Sequence, residues 1–349
     1  MDYITLRRRK HRKRAGQGSV AVAERERIGQ LKEKVALVTG GTGGIGKEIA
    51  RGLAQVCGKL IIVGWDAEKG AQAEKEILAS SKDCDVRFFR ADLSLVWEAR
   101  RVSEEVLSHC SALHYLVHSA GFVRGRRVVT AEALESNFAT NYLSRFALTG
   151  RLLPTLQAAG RPGESARVLF VSHPGFDGKI HYDDVNLTTN FSTIRAFRQF
   201  HFANDVFAVE LARRLSAPAG RPPVTVSCLH PGPTKTDIDR DMPLWMKLMV
   251  RAVIHPMVSN APSVPAATAL KLLLADEYEG DSGALFSLGR QIQARTCGAE
   301  RKEPGGRRAA VDLERGAGSL GVGSAHPFGR ELRRSGQPAQ GRTLAMITA

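Results

Sequence analysis

No Cys-x-x-Cys pair occurs among Cys57, Cys84, Cys110, Cys228 and Cys297, and their number is odd. Neither a disulfide framework nor a zinc site is suggested by that, and a reducing compartment fits best, with the cytoplasm as the expected location. No stretch approaches the roughly 18 consecutive apolar residues of a membrane span. The basic N-terminus has no apolar run behind it, so it does not read as a secretory signal. Aromatic residues make up 6% of the chain. None is interleaved with the arginines of Arg7-Arg8-Arg9-Lys10-His11-Arg12-Lys13-Arg14, which argues against a stacking platform for nucleic acid.

Over 349 residues the formal charge is +15, but it is unevenly placed. Residues 1 to 34 hold eleven Lys/Arg against four Asp/Glu, and residues 295 to 349 hold ten against five. The 260 residues between them carry only +3, an ordinary surface for an enzyme. Residues 1–33 have no apolar period and read as a disordered basic arm, and residues 294–349, with ten glycines from 298 onward, read as a disordered Gly/Arg-rich tail. A reading frame that starts early or shifts near the end would give the same two tails.

From Lys34 the text changes. Short apolar runs alternate with helical stretches: Val35 to Val38, then 45 to 56; Leu60 to Val63, then 67 to 79; Val86 to Phe89, then 95 to 109; Tyr115 to His118. Further strands are expected at 167 to 172, 224 to 229 and 284 to 287, and long helices at 133 to 158 and 192 to 215. Strands apolar on both sides and separated by helices indicate one doubly wound α/β domain over residues 34–293, a sheet of about seven parallel strands between two helical layers.

Directly after the first strand, Thr39-Gly40-Gly41-Thr42-Gly43-Gly44-Ile45-Gly46 opens a helix. Glycines there make a tight turn, let backbone N–H groups approach a pyrophosphate and let helix and strand pack closely, while the helix N-terminus favours the anion. A plain glycine-rich turn is the bland alternative, and the strand before it and helix after it weigh against that. The expected partner is therefore a dinucleotide on a Rossmann fold.

The spacing at 39 to 46 also resembles the short-chain dehydrogenase/reductase family, and other landmarks follow in order. Ala91-Asp92-Leu93 resembles the Asp-Leu that touches the adenine. His118-Ser119-Ala120-Gly121 resembles a worn Asn-Asn-Ala-Gly, and Asn141 matches the Asn of the long helix after the fourth strand. His230-Pro231-Gly232-Pro233-Thr234-Lys235-Thr236 resembles the Pro-Gly loop whose Thr holds the nicotinamide carboxamide. The likeness spans about residues 34 to 293 and is nearest the retinol-dehydrogenase-like branch, through Ile180-His181-Tyr182-Asp183-Asp184-Val185-Asn186 and Phe202-Ala203-Asn204.

The family resemblance implies hydride transfer between a nicotinamide and an alcohol or carbonyl. It implies a Tyr for the proton, a Lys one helical turn later and a Ser to orient the substrate oxygen. In this chain the Tyr position is Phe197, the Lys position is His201 and the Ser position is His173. Ser172 stands one residue early and is expected to point to the other side of its strand. His201 can bond a ribose or merely fill a lysine-sized gap. His173 can orient or protonate a carbonyl oxygen or be idle. Asn141 is a relay residue in the family and here can be only structural.

For NAD against NADP, the family's acid falls at Gly64 and its arginine at Trp65. Asp66 is either a ribose ligand or the N-cap of the next helix, and Trp65 either stacks on adenine or covers a sheet edge. The resembled branch favours NADP. Residues 243 to 258 place Trp245, Leu248, Met249, Ala252 and Val253 on one helical face, suited to an apolar substrate, to core packing or to a membrane surface. Three functions stay open: an oxidoreductase acting on an apolar alcohol or carbonyl, a dinucleotide-binding pseudoenzyme for sensing or assembly, and nucleic-acid binding through the arm. A homo-oligomer is compatible with each.

Overall fold

A computed structural model of the chain describes residues 31–81, 83–161, 163–175, 178–216, 222–235, 260–288 and 290–292. The arm before residue 31, the helical face expected at 243 to 258 and the tail from 294 lie outside the described residues. Leu31 to Glu33, expected to belong to the arm, instead form a helical turn leading into the first strand, with the Lys34 N–H donating to the Leu31 carbonyl at 3.0 Å.

The alternation read from the sequence folds as expected. In chain order come β1 (Val35–Thr39), α1 (Gly44–Ala54), β2 (Lys59–Gly64), α2 (Ala67–Ser80), β3 (Asp85–Arg90), α3 (Val96–His109) and β4 (Tyr115–His118). Then follow α4 (Ser144–Ala159), β5 (Ala166–Val171), α5 (Thr193–Leu215), β6 (Val224–His230), α6 (Ser263–Leu274), β7 (Ala284–Ser287) and β8 (Arg290–Ile292). The sheet order is β3-β2-β1-β4-β5-β6-β7-β8. All pairs are parallel except β7 with β8. This is the Rossmann arrangement with one antiparallel strand added at its edge.

Both faces are covered because the strands offer apolar side chains to each. On one side Leu37, Ile61, Leu116, Val168 and Phe170 pack on Val102, Val106, Leu152, Leu156 and Leu211 of α3, α4 and α5. On the other, Val38, Leu60, Ile62 and Leu169 pack on Ile49, Leu53, Ile77, Leu272 and Leu273 of α1, α2 and α6. Removing a large member such as the fully buried Phe170 would cost about 3–5 kcal/mol.

Three expectations need correction. The helix expected from 133 does not begin there, because Ala133 has φ +58° in a turn. It is entered instead through Ser136–Phe138, whose first N–H groups are capped by the buried Glu135 carboxylate, and a π-helical stretch, Ala139–Leu143. The chain between residues 260 and 288 contributes α6, a helix that the reading of apolar runs left unmarked. β8 adds an eighth strand too short to stand out in the text.

Candidate active site

The order 3-2-1-4-5-6 reverses direction between β1 and β4, and that switch point is where such sheets receive ligands beyond the carboxyl ends of their strands. The loop landmarks singled out in the sequence sit at those ends: Thr39 to Gly46 after β1, Trp65 and Asp66 after β2, Asp92 and Leu93 after β3, Ser119 to Gly121 after β4, His173 after β5, and Pro231, Gly232 and Thr234 after β6, whereas Asn141 lies in the stretch before α4 and Phe197 and His201 lie on α5.

The glycine turn has the geometry that a pyrophosphate needs. Gly40 (φ +70°) and Gly44 (φ +54°) occupy left-handed backbone. At Gly46 a Cβ would overlap the Gly40 carbonyl, so that glycine is needed for close packing of α1 on β1. Gly43 is different: it is extended, and a Cβ there would meet no atom within 4 Å. It faces open space at the uncapped N-terminus of α1, whose first turn holds no acidic residue. Backbone N–H groups there can receive an anion.

Some predicted ligands have other tasks. The fully buried Thr39 Oγ1 accepts the Ser119 and Ala120 N–H groups at 3.2 and 3.3 Å, tying β1 to the loop after β4. Ile45 and Leu93 have core side chains, so only their backbone is available to a ligand. Thr42 packs against Gly64, where a Cβ would stand 2.7 Å from Thr42 Cγ2. Asp66 caps α2, its Oδ1 accepting the Lys69 N–H at 3.0 Å, as the helix-cap alternative expects. Asp92 Oδ1 similarly accepts the Ser94 N–H at 2.9 Å. Trp65 is 51% exposed, and its carbonyl accepts from Arg90 Nε at 3.1 Å. Thr234 Oγ1 reaches the Gly232 carbonyl at 3.1 Å within the loop that follows β6.

Asn141 lies in the π-helical stretch, a helix defect common at functional sites. Its amide donates to the Phe122 and Asn137 carbonyls, both at 2.8 Å, and its own carbonyl accepts from Asn204 Nδ2 at 2.9 Å. Its Oδ1 lies where a side chain on Gly121 would be, 2.5 Å from an added Cβ. The side chain therefore fixes the loop after β4 against the helix.

The three positions at which the resemblance implies a Tyr, a Lys and a Ser converge. The Phe197 ring lies 4.3 Å from the His201 ring and 5.2 Å from that of His173. Contrary to expectation, Ser172 faces this group: its Oγ stands 2.8 Å from His201 Nδ1. β5 ends at Val171, so the alternation of a strand no longer governs residue 172.

The two histidines are in different states. His201 Nδ1 accepts the His173 backbone N–H at 3.0 Å, so the neutral ring carries its proton on Nε2. That N–H is buried and has no hydrogen-bond partner among the described residues. Burial, helped by the neighbouring His173 and Arg145, keeps the His201 pKa well below the usual histidine value. His173 has the opposite tautomer. Its Nδ1 donates to the Pro174 carbonyl at 3.1 Å, which leaves Nε2 as the ring's acceptor. Burial lowers its pKa as well, against the opposing effect of the Pro174 contact.

Two residues not weighed in the sequence complete the surroundings. Arg145, one turn after Asn141, is 5% exposed and donates to the Val171 carbonyl at 3.1 Å and the Ala120 carbonyl at 2.9 Å. No carboxylate pairs with it among the described residues, and burial pushes its pKa down to about 10. Asp205, one turn after His201, is buried between α5 and β6. The i, i+4 spacing from each singled-out residue was the available signal.

The sequence pattern of the short chain dehydrogenase family matches residues 34–181. Polyprenol dehydrogenase of Homo sapiens is 30% identical over 252 residues, covering 72% of this chain and 76% of the relative. Retinol dehydrogenase 12 of Homo sapiens is 33% identical over 258 residues, covering 74% and 78%. The chain belongs to the short-chain dehydrogenase family. Among solved structures, the Pseudomonas aeruginosa RhlG/NADP active-site complex shares the fold at TM-score 0.56 and 23% identity, over 74% of this chain and 95% of that one. The chain is thus an oxidoreductase by ancestry, and the open cradle at Gly43 and the unpartnered Nε2–H of His201 fit the family's dinucleotide.

Proposed function

We propose that the protein binds a nicotinamide dinucleotide and dehydrogenates an apolar alcohol, with His173 taking the proton that a tyrosine handles elsewhere in the family. The observation that carries this reading is the His173 tautomer: a ring pinned through Nδ1–H to Pro174, with a basic Nε2, beside the position where a phenol is missing. When bound, the nicotinamide supplies the acceptor for the hydride leaving the carbinol carbon. His173 Nε2 accepts the hydroxyl proton, leaving the carbonyl product and an imidazolium that returns its proton to solvent. His201 holds its Nε2–H as a fixed donor suited to a ribose hydroxyl.

The apolar class is supported by Phe197, 5.2 Å from the His173 ring, which with Ile180 packs against an apolar cluster that includes Phe200, Val185 and Tyr142. The names of the relatives agree, since polyprenol and retinol are both apolar alcohols. NADP is favoured over NAD because the carboxylate nearest the end of β2, Asp66, is used as a helix cap, while Arg90 crosses to the Trp65 carbonyl and brings a guanidinium to the same corner. An arginine there suits a ribose 2′-phosphate.

A second reading, a dinucleotide-binding protein without turnover, is favoured by Phe197, which has no proton to exchange. Fluorescence titration with NADH and NADPH, followed by single-turnover assays with NADP⁺ and retinol or a short polyprenol, separates the two. Reduced cofactor forming in the wild type and lost in His173→Ala supports the dehydrogenase. Tight binding with no turnover in either protein selects the second reading, and no binding by folded protein overturns both.

A further inference from the structure

Phe197, His201 and Asp205 follow one another at intervals of four residues on α5, so their side chains share one face of the helix. The third is a carboxylate only 9% exposed, with no Lys or Arg partner among the described residues. A buried carboxylate is costly unless its oxygens are hydrogen-bonded, so its partners indicate what it is for. Oδ2 accepts the Gly175 backbone N–H at 2.8 Å. Oδ1 stands 3.4 Å from His230 Nε2, the ring nitrogen that must donate in this contact if the acid is ionised.

Those partners lie in two separate segments of the site. Gly175 belongs to the loop after β5 that carries His173, and His230 is the last residue of β6, directly before Pro231 and Gly232. The first segment lies flat on α5 at this point. A Cβ on Gly175 would stand 2.5 Å from Phe202 Cα and 2.9 Å from Asp205 Oδ2 itself. On the far side, His230 is 1% exposed, and its Nδ1 has no partner among the described residues, so Asp205 is the group that fixes this ring. The titratable groups around the carboxylate are His230 and Cys228 of β6, His173 of the loop and His201 of its own helix, and the charge of Asp205 acts on His173 in opposition to that of His230.

We infer that Asp205 is a positioning residue of this site: through Gly175 it sets the place of the His173 loop, through His230 it joins that loop to the Pro-Gly segment, and its carboxylate charge bears on the His173 ring. The part concerning His173 rests on the function proposed above, whereas the joining of three segments rests on the contacts alone. Asp205→Asn keeps an oxygen for the Gly175 N–H and removes the charge. Asp205→Ala removes both.

The test uses the full chain with isotope-labelled histidine, following the His173 ring by NMR against pH, together with NADPH fluorescence titration. In Asp205→Asn the His173 midpoint should fall relative to wild type, while NADPH affinity stays within about threefold. In Asp205→Ala affinity should drop about tenfold, because the loop and the Pro-Gly segment lose their common anchor. An unchanged His173 midpoint in folded Asp205→Asn overturns the inference, as does undiminished NADPH affinity in Asp205→Ala. Should the alanine variant fail to fold, the asparagine variant decides. Lack of dinucleotide binding by the wild type would sink the proposed function, yet the histidine comparison would still read this inference by itself.

Discussion

Ser172 Oγ and His201 Nδ1 stand 2.8 Å apart, and the His173 backbone N–H reaches the same nitrogen at 3.0 Å. His201 is thus the hub of the pocket's polar contacts, at the position where the family resemblance implies a lysine. A lysine has no acceptor, so it could not take the His173 N–H. The substitution has become part of the local structure.

Restoring the family residues should therefore have unequal effects. His201→Lys alone leaves the His173 N–H unpaired and buries an ammonium, and should cost about 1–3 kcal/mol of stability. Phe197→Tyr, at a half-buried position, should be nearly neutral for the fold. Together they should raise NADPH oxidation across a panel of carbonyl compounds above the wild-type rate. Thermal melts and initial rates check both halves, and a double variant with no rate gain would mean that the pocket no longer admits a carbonyl.

The glycine turn separates ligand binding from folding. At Gly43 the Cβ direction is open and the backbone is extended, so Gly43→Ala should leave the melting temperature unchanged while hindering the approach of a pyrophosphate. A loss of about tenfold in NADPH affinity is expected, an amount equal to about 1.4 kcal/mol. Gly46→Ala, by contrast, drives a Cβ into the Gly40 carbonyl and should lower stability together with affinity. Calorimetric unfolding beside fluorescence titration of both variants distinguishes the two effects.

Cofactor choice should respond to Arg90. Its guanidinium is anchored near Trp65 by one hydrogen bond from Nε, while Asp66 is occupied with Lys69. Arg90→Ala should weaken NADPH about tenfold and leave NADH almost unchanged, as expected for loss of a charge-assisted contact to a phosphate. Equal loss for both dinucleotides would show that Arg90 supports the loop rather than a phosphate.

What the text revealed and what it hid follow from where each signal resides. The buried strands were legible because Val35–Thr39 or Ala166–Val171 must be apolar on both faces, and the cofactor turn because its glycines are required by backbone geometry. Phe197 and His201 were visible through spacing along one helix. Asp205 and Arg145 lie one turn further on at the same spacing, but that alone did not mark them, since an acid or an arginine on a helix ordinarily faces water, and only the placement of β4, β5 and β6 turns these two inward. Ser172 was misplaced for a related reason: strand alternation was carried one residue past the strand's end.

Buried neutral histidines should make the protein sensitive to mild acid. Burial lowers the pKa of His114 to about 4, keeps His118 and His201 well below the usual value and lowers His173. In the unfolded chain each would titrate near about 6.5. Between the folded and unfolded values the unfolded state binds more protons, so stability is complete above about pH 6.5 and falls as pH drops below it, by up to about 1.4 kcal/mol per pH unit for each histidine. Urea unfolding midpoints should thus decline steeply between about pH 6.5 and 5, before carboxylates such as Glu210, held low by Arg213 and Arg214, begin to protonate. Replacing His118, whose Nε2 bonds Thr149 while its ring stacks on Phe170, with Gln should flatten that decline by about one histidine's share. A midpoint independent of pH across this window would show that these rings are hydrated and free to protonate in the folded state.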